Sequence, residues 1–152
     1  MELQQHKQQP KTSTSNELPK TVLPPLTLPN QSEKIYRGVR RRSGNFEVCV
    51  VEPSISTPLR RPATSSRPLP LHLELRNHSP TGFAWGYGGS GPAQLALAIL
   101  MDATGEQALA LRHYQEFKFQ FVAGWSDSWR ITQAEVLSFL ASREHPVACR
   151  SE

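Results

Sequence analysis

The chain has 152 residues, 38% of them hydrophobic, with 17 Lys and Arg against 13 Asp and Glu and a formal net charge of +4. That suffices for one modest domain with polar flanks and excludes two full domains, and the positive excess falls far short of a histone-like protein. The longest near-apolar run, Ala93 to Met101, is well below the roughly 20 residues a membrane helix needs, so no membrane association is expected. No signal or transit pattern opens the chain. Cys49 and Cys149 stand far apart with no CxxC pair, so two reduced thiols in a cytoplasmic protein are expected.

Residues 1–34 consist largely of Gln, Lys, Pro, Ser and Thr and contain no aromatic. Too little apolar surface exists there to offset the entropy of ordering, which predicts a disordered tail in which Pro19, Pro24, Pro25 and Pro29 favour extended, polyproline-like backbone. Ile35 to Arg41 and Phe46 to Val51 flank the turn residues Arg42-Ser43-Gly44-Asn45, a β-hairpin pattern. Phe46, Val48 and Val50 share one face of the second strand, leaving Glu47 and Cys49 on the other. Glu52 to Pro70 carries prolines at 53, 58, 62, 68 and 70; it reads as a long mobile loop and cannot be a central strand, because proline gives no ladder hydrogen bond. Leu71, Leu73 and Leu75 then alternate with His72, Glu74 and Arg76, which predicts a third strand.

Asn77 to Gly82 is turn chemistry, and Phe83, Trp85 and Tyr87 lead into the glycine-dense run Gly86 to Gly91. Ser90 is the expected N-cap and Pro92 fits the first helical turn. A buried helix from Pro92 to Ala103 follows, because a surface helix would show a polar face, and Gly105 is its expected left-handed C-cap. A second helix is predicted from Glu106 to about Glu116. Phe117 to Ala123 alternates phenylalanine with polar residues, which predicts a fourth strand; a helix extension competes, since Ala110, Tyr114, Phe117 and Phe121 also fall at helical spacing. Gly124 to Arg130 turns the chain and carries Trp125 and Trp129. Thr132-Gln-Ala-Glu135 is a capping box opening a last helix to about Ser142, with Val136, Leu137 and Leu140 as its buried face. Residues 143–152 read as a frayed tail. The expected fold is α+β: a small antiparallel sheet of three or four strands on a buried central helix, with two further helices, spanning 35–142.

The string from Ser79 to Leu100, SPTGFAWGYGGSGPAQLALAIL, resembles the signature of a family of small uncharacterised bacterial and mobile-element proteins known only as a domain of unknown function. The likeness extends to Tyr36-Arg37-Gly38, the LPLHLEL segment, the run around His113 to Lys118 and the closing Trp-plus-helix segment, about residues 35 to 142. It implies no established activity and no site residues. Tyr36-Arg37-Gly38-Val39-Arg40-Arg41-Arg42 also resembles the opening strand of the plant ethylene-response type of DNA-binding domain. The chain departs from that pattern after seven residues, where Ser43-Gly44-Asn45 and a proline-rich loop replace the expected Trp-Gly-Lys-like turn and Trp-Leu-Gly strand.

Charge concentrates in the middle, with eight arginines against three acids between residues 35 and 76. Arg37, Arg40, Arg41, Arg42, Arg60 and Arg61, joined by Arg67, are therefore the leading candidates for binding a partner, since guanidinium groups fit phosphates and carboxylates. Arg40 and Arg42 are expected on one strand face and Arg41 on the other. Gly88, Gly89, Ser90 and Gly91 form a possible ligand turn, because a glycine turn before a helix can hold an anion; the Lys-Ser or Lys-Thr of a P-loop is missing, and so is the GxSxG elbow of a hydrolase. Trp85, Tyr87, Trp125 and Trp129 could stack bases or form a binding hot spot, with core packing the plainer reading. The five histidines show no ligand spacing, so neither metal nor cofactor is expected, and no catalytic set accompanies the glycine turn. The resulting expectation is a non-enzymatic interaction protein of bacterial or phage mobile-element type, engaging a macromolecule through the basic hairpin, with an accessory or anti-defence role suggested by the kind of genome. The alternative is direct DNA or RNA binding by the arginine-rich sheet face.

Overall fold

Val- and aromatic-rich runs on either side of a tight turn form the first unit of the fold. In the computed structural model, which describes residues 33–53 and 64–144, β1 (Ile35–Arg40) and β2 (Phe46–Pro53) pair antiparallel, with Arg37 opposite Cys49 and Arg40 opposite Phe46. The turn closes through Arg41 N–H to Asn45 O at 2.8 Å and Gly44 N–H to Arg41 O at 2.9 Å. Gly44 sits at φ +83°, a conformation that side-chain-bearing residues resist.

Two short strands extend the hairpin on its flanks. β3 (Thr64–Pro68) joins β2 and β4 (Ser128–Thr132) joins β1, giving an antiparallel sheet of order β3-β2-β1-β4. β3 lies within the span expected to be loop; Pro68 is tolerated there because β3 is an edge strand. Residues 54–63 of that span, with Arg60 and Arg61, lie outside the described residues, as do 1–32 of the tail expected at 1–34 and 145–152 of the one expected at 143–152; Arg143 and Glu144 belong to the last helix. Tyr36, Val50, Trp129 and Ile131 are buried on the inner face of the sheet, and Phe46 and Val48 pack against the same core. Gly38 permits this packing, since a Cβ there would stand 2.2 Å from Trp129 Nε1.

Against that inner face lies α1 (Ser90–Thr104), buried without a break from Gly91 to Leu100. α2 (Gln107–Gln120) packs along α1, and α3 (Gln133–Glu144) packs on α1 and β4. Gly105 is the left-handed C-cap, φ +70°, its N–H reaching Met101 O at 2.8 Å. The capping box forms as the sequence requires: Thr132 N–H donates to Glu135 Oε2 at 2.8 Å and Glu135 N–H to Thr132 Oγ1 at 3.2 Å. Glu33 adds its carboxylate to the Ala134 amide in the same helical turn, a favourable place for an anion.

Four local expectations fail for physical reasons. Leu71 to Leu75 is not a strand: Leu75 N–H turns back to His72 O at 3.1 Å and His72 has φ 54°. Gln94, the one long polar side chain in the apolar stretch of α1, organises that segment. Its Nε2 donates to Leu71 O (2.6 Å) and Arg76 O (3.1 Å), and its Oε1 accepts from His78 N–H (2.8 Å) and Ser79 N–H (3.1 Å). Phe117 to Gln120 continues α2, because Phe117 and Phe121 meet Phe139 of α3 at 5.3 and 5.8 Å, so the helical spacing prevails over the alternation. Ser90 is the first helical residue, behind Gly89 as N-cap with no side-chain cap. Leu137 points outward, and Phe139 takes its place beside Val136 and Leu140 in the core.

Candidate functional site

The strand register assigns the hairpin arginines to different roles. Arg40 lies at the end of β1 on the inner side, stacked 4.9 Å from the Phe46 ring, with Nη2 3.5 Å from Trp85 O and Nη1 3.6 Å from an Asp127 carboxylate oxygen. It braces the aromatic segment. Arg41 pairs with Glu47 at 2.7 Å on the surface, while Arg42 is exposed in the turn and off the strand, so it does not share a strand face with Arg40. Arg67 donates to Glu52 at 2.8 Å and Asp102 at 2.6 Å. Arg37 stays exposed on the outer face. Beside it the sheet brings a residue that sequence reasoning missed: Arg130 of β4 stands directly opposite Arg37, also exposed and on the same face by period two. Val39, 41% exposed, follows on that face. The Trp-Arg-Ile alternation of β4 carries the signal, but the strand is five residues long and its first three fall within the turn expected at Gly124 to Arg130.

The aromatic candidates divide between core and surface. Trp85 is fully buried, edge-on to Phe46 (4.7 Å) and Trp129 (5.6 Å), and its Nε1 donates to Ser126 O at 2.5 Å. Trp125 stacks on Trp129 at 4.0 Å. Tyr87 remains half exposed.

The glycine turn is tightly packed rather than open. A Cβ on Gly89 would meet the Tyr87 ring at 2.3 Å and one on Gly91 would meet Ala84 at 2.7 Å, while Gly88 lies under the Phe119 ring. These glycines let side chains lie against the backbone, and Ser90 is exposed at the helix start. One neighbour does not fit a purely structural account. Lys118 of α2 is only 5% exposed, and its ammonium reaches a neutral group, Gly88 O at 3.2 Å, with the Phe119 ring centroid at 4.1 Å. No carboxylate pairs with it among the described residues. Desolvating an ammonium costs several kcal/mol, against about 1.5–3 kcal/mol for a charged hydrogen bond and about 1 kcal/mol for a ring as exposed as Phe119. The positive end of α1 lies beside it and opposes a cation further.

More positive charge converges there. Arg76 Nη1 donates to Tyr114 Oη at 3.1 Å, and His78 Nε2 lies 3.0 Å from the same hydroxyl. Tyr114 and Lys118 are one helical turn apart on α2, both buried. Burial first, then the charges of Arg76 and Lys118, hold the His78 imidazole below its ordinary pKa. The Tyr114 hydroxyl thus accepts from Arg76 and is hydrogen-bonded to an imidazole held toward its neutral form. Spacing along the chain could not reveal this group, because its members come from the Gln94-bound loop, the glycine turn and α2.

At the other end of α1, Asp102 shows a completed ionic arrangement. Its carboxylate accepts from Arg67 (2.6 Å), Tyr36 Oη (2.9 Å) and Lys34 (3.3 Å), and Glu52 balances Arg67. Burial alone would raise its pKa; the Arg67 and Tyr36 hydrogen bonds and the Lys34 charge outweigh it and hold the carboxyl below its usual range. Burial, then the Asp102 charge, pushes the Tyr36 phenol upward.

A groove of about 520 Å³ between α2 and α3 has Phe121 and Phe139 in its lining, with Glu135, which already serves the capping box. Among the described residues, no group of three or more His, Cys, Asp or Glu is placed to hold a metal ion, and no helix is long and apolar enough to cross a membrane.

Comparison with known proteins gives one match. The model of a family described as "Family of unknown function (DUF6166)" matches residues 36–142. No curated protein and no solved structure matches the chain.

Proposed function

We propose that this chain, which belongs to the family of unknown function DUF6166, is a non-enzymatic interaction module that docks an acidic macromolecular partner on the outer face of its sheet. The observation that carries this reading is the cross-strand pair Arg37 and Arg130, like charges in direct register, exposed, and without a carboxylate partner among the described residues. Like charges placed opposite each other destabilise a sheet, so their presence favours a face that meets negative charge. Val39 and the half-buried Ile35, Cys49 and Val51 supply apolar surface around the cations. No aromatic side chain accompanies them on β1, β2 or β4 of that face, and stacking rings are what single-stranded nucleic acid favours. An acidic protein surface is thus the better fit.

Affinity capture from the native host tests it, comparing the wild type with an Arg37→Glu, Arg130→Glu form. An acidic protein bound by the first and lost by the second supports the reading. Identical capture by both forms overturns it. Retention on DNA or RNA that falls steeply between about 50 and 200 mM salt, with a shallower slope in the double variant, would replace it with the nucleic-acid reading.

A further inference from the structure

We propose that the acidic partner of the outer sheet face binds as an extended strand, added antiparallel to the open edge of β4 with a Glu or Asp set opposite Arg130. The inference rests on that reading of the face and names the form the partner takes.

β4 is an edge strand, with β1 on one side and no strand on the other among the described residues. Arg40 N–H donates to Asp127 O at 2.7 Å and Gln133 N–H to Lys34 O at 2.9 Å. By the alternation of an antiparallel ladder, Asp127, Trp129, Ile131 and Gln133 thus bond toward β1, and Ser128, Arg130 and Thr132 turn their amides away from it. Glu135 takes the Thr132 N–H in the capping box. The N–H and C=O groups of Ser128 and Arg130 have no partner among the described residues, and both residues are exposed.

The opposite edge is built differently. Leu69 N–H donates to Val48 O at 3.5 Å, so Pro68 stands on the open side of β3, where it withholds a donor and blunts the edge. β4 contains no proline. Its charge selects among strands. A second copy of this chain would set its own Arg130 opposite the first, or one diagonal away when the open residues pair, and like charges there repel. An acidic strand meets Arg130 and, one strand further in, Arg37. The residue opposite Arg130 exchanges both backbone bonds with it, so charge pairing and ladder pairing fall on one residue. Its neighbours face inward beside the buried Trp129 and Ile131, which suits alternating acidic and apolar residues, and addition to a free edge is a recurrent mode of peptide capture.

The experiment titrates the full-length, isotope-labelled protein with the end-capped peptide Thr-Val-Glu-Val-Glu-Val-Thr, whose Glu amides face β4 and whose Val amides face away. Saturable binding that slows exchange of the Ser128 and Arg130 amide protons supports the proposal. N-methylation of the Glu nitrogens should weaken it about tenfold or more, and N-methylation of the Val nitrogens by less than about threefold. Replacing both Glu by Lys should likewise cost about tenfold in the wild type and restore binding to an Arg37→Glu, Arg130→Glu form. No saturation below about 10 mM, or unslowed exchange at Ser128 and Arg130 on saturation, overturns the proposal. Binding that the charge-reversed protein loses but neither methylation disturbs overturns strand addition alone and leaves acidic docking on the face standing. Equal binding of the Glu and Lys peptides overturns both.

Discussion

The two ends of α1 face the same electrostatic problem and answer it differently. Asp102 lies in the last turn, where the helix dipole is negative, and Lys118 packs beside the first turn, where it is positive; each has the sign the dipole opposes. At the C-terminal end the sheet supplies Lys34, Arg67 and Tyr36, so the acid is enclosed in a satisfied cluster that fastens helix to sheet. At the N-terminal end one further cation arrives, Arg76, with the His78 imidazole held toward its neutral form beside it. The comparison separates a charge that is met by opposite charges from one that is met only by a carbonyl and a ring. A balanced set is explained by stability alone, and an unbalanced one is not.

Disrupting the N-terminal end at its support gives the largest expected effect. Gln94→Leu leaves four backbone groups without their partner and should cost on the order of 4 kcal/mol in chemical denaturation, with amide exchange rising first at His78 and Ser79. Asp102→Asn tests the balanced end. It should cost about 2–3 kcal/mol, since breaking a buried pair is expensive but Arg67 is partly in water. Because the Asp102 carboxyl is held below its ordinary value of 3.8, the stability it lends is complete above that value and drains away as pH falls through the depressed one. The Asn variant should therefore flatten the acid arm of the stability profile. The smallest effect belongs to Lys118→Met, which should let the His78 titration followed by proton NMR move upward without reaching its ordinary 6.5, since burial and Arg76 remain.

The sequence disclosed what depends on neighbours along the chain. The hairpin, the buried helix with its Gly105 cap and the Thr132–Glu135 box were all readable, because turn chemistry, apolar runs and capping are local. Alternation over five residues misled twice. In Leu71–Leu75 it stood for a turn wound about a glutamine, and in Phe117–Phe121 it was the by-product of a helix whose Phe119 faces water. The candidate sites were legible only in part. Arg37 and the glycine turn were visible, but Arg130 depended on a short strand being recognised and on its register, and Lys118 on two segments about thirty residues apart meeting in space.

Gln94 has one more consequence. The connection from Leu71 to Ser79 looks like a loop and would ordinarily tolerate insertions and deletions, yet both its ends are fixed to a single carboxamide, carbonyls at one side and amides at the other. Its length is thereby set by the width of one side chain, and it will evolve under the constraints of an interior rather than those of a surface.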